Sequence, residues 1–133
     1  MGQKYLIDTC AVIKYLDEIF PSKALSFMDR IIDEDSKVSF ITKIELLAWN
    51  PPNPGDINIR EEFLNGSEIH LVNDEIIKLA IKIRKETHIK IPDALIASTA
   101  MSCDFILLSD NDTDFMKVEP LGLKYLNPKT AFK

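Results

Sequence analysis

The sequence predicts an α/β fold, with a central and mostly parallel sheet of four to five strands flanked by helices on both faces. Three observations carry this expectation. Short β-branched and aromatic runs alternate along the whole chain with longer stretches of helical period. The first run is apolar throughout, as befits a strand covered on both sides. Strands that alternate with helices favour parallel pairing through crossover connections.

"KYLID" (4–8) reads as the first strand, and Thr9 can cap a helix over residues 10–18. After Pro21, the residues Ala24, Leu25, Phe27, Met28, Ile31 and Ile32 recur at helical spacing. "KVSFIT" (37–42) is β-branched and short, hence a second strand, and "TKIELLAW" (42–49) turns helical. The prolines of "NPPNPG" (50–55) cannot continue that helix. The same strand–helix rhythm resumes beyond them, so residues 1–133 read as one domain with an internal proline loop. A helix over 57–65 ends at Asn65-Gly66, and "EIHLV" (68–72) is the third strand. Asn73 or Asp74 caps "DEIIKLAIKIRKET", whose aliphatic residues keep a 3.6-residue stripe. Pro92 enters "IPDALIASTAMS" (91–102) in its first turn, where proline is best tolerated. "FILLS" (105–109) is the fourth strand, and "LGLKYL" (121–126) supplies a short edge strand.

Composition narrows the function classes. Apolar residues form 46% and charged ones 28% of the chain, which is a globular rather than a disordered balance. No apolar run approaches the roughly 20 residues that span a bilayer, and no basic-then-apolar leader opens the chain, so a cytoplasmic protein without membrane partners is expected. Cys10 and Cys103 read as small buried hydrophobes, and His70 and His88 as structural or surface residues. The net charge of −5 argues against simple coating of nucleic acid. It leaves room for a nuclease in which cations invert the charge of a carboxylate cluster.

Such a cluster is what the topology predicts. In parallel α/β sheets, ligands gather outside the carboxyl ends of the strands. Asp8 ends the first strand there. Glu45 falls on or beside the apolar stripe of its helix, where an unpaired buried charge would be costly. Asp93 stands in the first turn of a helix feeding the fourth strand, where the helix dipole favours an anion. "SDNDTDF" (109–115) leaves the fourth strand with Asp110, Asn111, Asp112 and Asp114 in a short loop. Each acid alone also reads blandly, as a dipole partner or a solvated turn residue. Converging carboxylates repel one another unless a cation sits among them, and hard oxygen ligands with water positions to spare describe Mg²⁺ or Mn²⁺. A two-metal arrangement of that kind can activate water and stabilise the leaving oxygen of a phosphodiester. No P-loop, GxSxG or HExxH competes.

"LIDTCAVI", "TKIEL", "IPDALIASTA" and "LLSDNDTDF" resemble, in order, the four signature segments of PIN-domain ribonucleases, and most closely the VapC-type toxins of bacterial toxin–antitoxin pairs. The resemblance covers essentially the whole chain, and "IPDALIASTA" is its most specific piece. It implies a PIN-like fold and a Mg²⁺- or Mn²⁺-dependent endoribonuclease that leaves 5′-phosphate and 3′-hydroxyl ends, with Asp8, Glu45 and Asp93 as core metal ligands. In the last segment Ser109, Asn111, Asp114 and Phe115 match the family's frame, with Ser109 in place of the usual threonine. Asp114 is then the fourth acid and Asn111 its polar neighbour, while Asp110 and Asp112 fall out of frame.

Thr9 or Ser109 can hydrogen-bond a carboxylate or the scissile phosphate, although Thr9 serves equally well as a plain helix cap. Lys14, Lys43, Arg84, Lys85 and Lys90 are candidates for RNA backbone contacts. The resemblance further implies a homodimer and an antitoxin partner that blocks the site. Ile13, Leu16, Leu25 and Met28 either meet that partner or face the sheet. Two other readings remain at this point. One is a catalytically inactive PIN-like module that binds RNA or a partner. The other is a haloacid-dehalogenase-type phosphotransferase with Asp8 as nucleophile, in which position 10 should be a second aspartate rather than Cys10.

Overall fold

The computed structural model describes residues 2–132. In chain order these form β1 (Tyr5–Ile7), α1 (Thr9–Leu16), α2 (Ser22–Asp35), β2 (Lys37–Ser39), α3 (Phe40–Leu47), α4 (Asp56–Asn65) and β3 (Glu68–His70). Then follow α5 (Asp74–Thr87), α6 (Ile91–Ser102), β4 (Ile106–Leu108), α7 (Asp112–Phe115), β5 (Lys124–Leu126) and α8 (Pro128–Ala131). Every ladder is parallel: β1 pairs β4, β4 pairs β5, and β2 pairs β3. β2 also lies against β1, which gives the spatial order β3-β2-β1-β4-β5. The expected α/β class holds.

Both faces of the sheet are buried because successive side chains of a strand point to opposite sides. Leu6 and Leu107 enter one core with Ile83, Ile96, Ala97, Phe115 and Val118, beneath α5 and α6. Ile7 and Leu108 enter the other with Val12, Met28, Val38 and Leu46, beneath α1 to α3. Each such aliphatic side chain contributes about 1.5–3 kcal/mol when fully buried. Met28 therefore faces the core and is no candidate for a partner surface, whereas Ile13, Leu16 and Leu25 are half-buried.

Several boundaries differ from the sequence expectation, each for a local reason. β2 stops at Ser39 instead of running to Thr42, because the Ser39 hydroxyl accepts the Ile41 N–H at 3.1 Å and starts α3. Asp8, not Thr9, occupies the N-cap position of α1, with extended backbone and no side-chain cap bond. Thr9 is the first helical residue, and its hydroxyl is drawn away by tertiary partners. Asn73 rather than Asp74 caps α5, accepting from the Ile76 N–H at 2.9 Å. The short helices α7 and α8 were not expected. Asn111 and Asn127 cap them, accepting backbone N–H groups at 3.3 and 2.9 Å. Gly122 adopts φ 113° after the turn at Glu119–Leu121, a conformation that admits glycine without strain and shortens β5 at its start.

Candidate functional site

Strand order reverses beside β1: β2 and β3 lie to one side, β4 and β5 to the other. A crevice opens at such a reversal, outside the carboxyl ends of the strands. Asp8 follows β1 there and is fixed by its own N–H, which donates to the Leu108 carbonyl at 2.9 Å. Its side chain is only 4% exposed. Ser109 follows β4, fully buried, and its hydroxyl donates to Asp8 Oδ2 at 2.8 Å. The Cys10 thiol donates to that same oxygen at 2.9 Å and lies 3.3 Å from the Ser109 hydroxyl. The Asn111 N–H completes the turn by donating to Ser109 Oγ at 3.0 Å. Burial pushes the Asp8 carboxyl above its ordinary range, against the pull of the hydrogen bonds from Cys10 and Ser109. Burial and the Asp8 charge push the Cys10 thiol up as well, so it stays protonated as a donor.

The other acids approach from three further segments. Glu45 is exposed at the rim, because Thr42 and Leu46 form the buried face of α3 and Glu45 stands one position round from it. The burial expected for Glu45 is therefore corrected. Its Oε1 accepts the Thr9 hydroxyl at 2.7 Å, and Thr9 Oγ1 also bonds the Thr42 hydroxyl at 2.9 Å. Asp93 sits in the first turn of α6 with the Asp114 carboxyl as a neighbour. Its carboxyl is pushed up to about 7, first by burial and then by Asp8, Asp114 and Glu45. Asn111 Nδ2 donates to Asp114 Oδ2 at 3.0 Å, which holds that acid behind Asp93. Asp8, Thr9, Glu45, Asp93 and Asn111, with Cys10, Ile13 and Asp110, line a cleft of about 310 Å³.

The remaining candidates fall elsewhere or carry other partners. Asp110 joins the lining of the cleft and is ion-paired with Lys14. Burial raises its carboxyl, but the Lys14 hydrogen bond and charge bring it below the ordinary value. Lys14 therefore already has a partner at the rim. Asp112 accepts from the Tyr125 hydroxyl and from Asn127 Nδ2, tying α7 to β5 and α8. Lys43 and Lys90 are exposed, on α3 and at the N-cap of α6. Arg84 donates to the Ile89 carbonyl at 2.6 Å, and with Lys85 it lines an apolar groove between α5 and α6. The sequence reading missed Cys10 and Thr42 as site residues. The signal for Cys10 was its position two residues after Asp8 in the first helical turn, from which a side chain reaches back to the cap.

Among the described residues, no three Asp, Glu, His or Cys side chains close on one point tightly enough to ligate an ion as they stand. The donor chemistry still suits a hard divalent cation: charged oxygens from four segments around a cleft with room for water. Burial first raises the Asp93 carboxyl, and the negative charge of Asp8, Asp114 and Glu45 adds to it; a cation would offset that second part.

Residues 5–120 match the PIN domain family. The chain belongs to that family. Solved structures similar to this PIN domain include DNA-bound VapBC from Salmonella typhimurium, with TM-score 0.81 and 19% identity over 96% of this chain and 99% of that one. VapBC2 from Rickettsia felis, bound to a DNA fragment from its promoter, gives TM-score 0.79 and 19% identity over 94% and 98% of the two chains. FitAcB from Neisseria gonorrhoeae gives 0.74 and 23% over 93% and 97%. At these identities the likeness is one of fold. Comparison with curated proteins gives no match.

Proposed function

We propose that this PIN domain, acting as one unit over residues 1–133, is a Mg²⁺- or Mn²⁺-dependent endoribonuclease of the VapC type. On this reading it is the toxin of a type II toxin–antitoxin pair, works in the cytoplasm as a homodimer, and is held inactive by its antitoxin. The observation that carries the reading is the meeting of Asp8, Glu45 and Asp93, from three separate segments, around one cleft at the reversal of strand order, with Asp114 next to Asp93. Support for the VapC type comes from the sequence segments and from the VapBC folds. Among the described residues no helix is long and apolar enough to cross a membrane.

When bound, the cation supplies an acidified water and offsets charge on the leaving oxygen. The chain's own residues hold and orient it. Asp8, Glu45 and Asp93 present carboxylate oxygens to the cleft. Asp114 acts through Asp93, and Asn111 fixes Asp114. Thr9 holds Glu45 and Ser109 holds Asp8, which reduces the motion of two ligands that differ greatly in exposure.

The test uses the purified full chain and a structured RNA. Cleavage is expected in Mg²⁺ or Mn²⁺, with 5′-phosphate and 3′-hydroxyl ends, and is abolished by excess EDTA. Asp8→Asn and Asp93→Asn should each lose more than the roughly 10–100-fold that removal of an outer hydrogen-bond partner costs a metal site. Persistent cleavage in EDTA, or full activity in either variant, overturns the mechanism. RNA binding without cleavage in any divalent ion favours the inactive binding module instead. Expression toxicity relieved by a small gene immediately upstream tests the antitoxin part separately.

A further inference from the structure

We propose that Cys10 is a positioning residue: together with Ser109 it occupies one oxygen of Asp8, so that Asp8 offers a divalent cation only its other oxygen. The inference rests on the metal-dependent reading above and concerns how that site is built. A carboxylate oxygen has about two lone-pair positions for donors. At Asp8 Oδ2 both are taken, by Ser109 Oγ at 2.8 Å and by Cys10 Sγ at 2.9 Å. The two donors come from different segments, one from the turn after β4 and one from the first turn of α1. They also touch each other at 3.3 Å, so neither can swing away without disturbing the other. With only 4% of Asp8 exposed, the side chain has little freedom to present its oxygens differently. Asp8 is thereby made a one-oxygen ligand. That geometry suits a small octahedral cation, which prefers single oxygens and retained waters. Ca²⁺, with six to eight flexible ligands, readily accepts both oxygens of a carboxylate.

The clamp thus predicts a change in metal preference, which a loss of packing would not produce. Binding of Mn²⁺ and of Ca²⁺ to the full chain is measured separately by titration calorimetry, for wild type, Cys10→Ala and Cys10→Ser. Melting in EDTA establishes that each variant is folded. Cys10→Ala is expected to weaken Mn²⁺ binding by about 10–100-fold, the scale for losing an outer hydrogen-bond partner. Ca²⁺ binding should fall less, because Oδ2 is released. Cys10→Ser, whose hydroxyl can donate as the thiol does, should restore both affinities to within a few-fold of wild type. Unchanged Mn²⁺ binding in Cys10→Ala overturns the proposal. So does an equal loss for both ions, or a serine variant as impaired as the alanine one. A wild-type chain that binds no Mn²⁺ instead removes the metal-dependent reading, and the clamp falls with it.

Discussion

At the scale of single residues, burial and the crowded carboxylates of the cleft together have a testable consequence at Asp93. Burial, and then the nearby acids, push its carboxyl up to about 7 from the ordinary 3.8. Between those values the folded state binds a proton that the unfolded chain has released, so metal-free stability falls as pH rises from about 4 to about 7. Melting temperature in EDTA should therefore be higher at pH 5 than at pH 7.5, and Mg²⁺ should recover the difference at the higher pH. Asp93→Asn should melt several degrees above wild type in EDTA at pH 7.5, where about 1 kcal/mol corresponds to roughly 2–8 °C in a domain of this size. Its amide keeps the shape of the acid without the charge. A variant that melts no higher, or that still gains from Mg²⁺ as wild type does, shows that Asp93 does not carry this repulsion. The acids themselves were legible in the sequence because strand–helix joints are. Their partners were not, since Thr9 meets Glu45 and Cys10 meets Ser109 only once β1, α3 and β4 are brought side by side.

Among the elements, α6 shows why its sequence is the most specific stretch of the chain. Ala94, Ala97 and Ala100 recur every third residue and are fully buried against neighbouring elements, so small side chains let α6 lie close to them. Ser98 and Thr99 are buried too, and they return their hydroxyls to the Leu95 carbonyl at 3.0 and 2.7 Å, which leaves no donor unpaired. Enlarging Ala97 to leucine should destabilise the fold by about 1–3 kcal/mol, the cost of overpacking a tight core. Chemical denaturation would read this as a lower midpoint with an unchanged slope. A neutral result would mean that the helix can shift outward, and Asp93 at its first turn would shift with it. Periodicity located this helix well, whereas it overran β2. The β-branched Ile41 and Thr42 favour a strand by composition, but Ser39 offers a cap that ends the strand three residues earlier.

For the whole molecule, the proposed activity sets a net charge of −5 against a polyanionic substrate. On that reading cations in the cleft would relieve this repulsion locally, and the remaining attraction would come from basic side chains without another task. Lys90 is the better candidate: it is exposed and is the N-cap of α6, three residues before Asp93, whereas Lys43, two residues before Glu45 on α3, faces another way. Lys14 is paired with Asp110, while Arg84 closes the end of α5 and Lys85 borders the apolar groove between α5 and α6. A small number of phosphate contacts implies a shallow dependence of RNA affinity on salt, with roughly 0.7 in logarithmic slope for each contact to a single strand. In the Asp8→Asn background, where cleavage is removed, Lys90→Ala should lower that slope by about this amount and weaken binding alike for unrelated sequences. Lys85→Ala should leave both slope and affinity unchanged. Fluorescence anisotropy with a single-stranded RNA between about 50 and 200 mM salt separates the two. If Lys85→Ala rather than Lys90→Ala flattens the slope, the RNA runs along the α5–α6 face and the cleft is approached from that side.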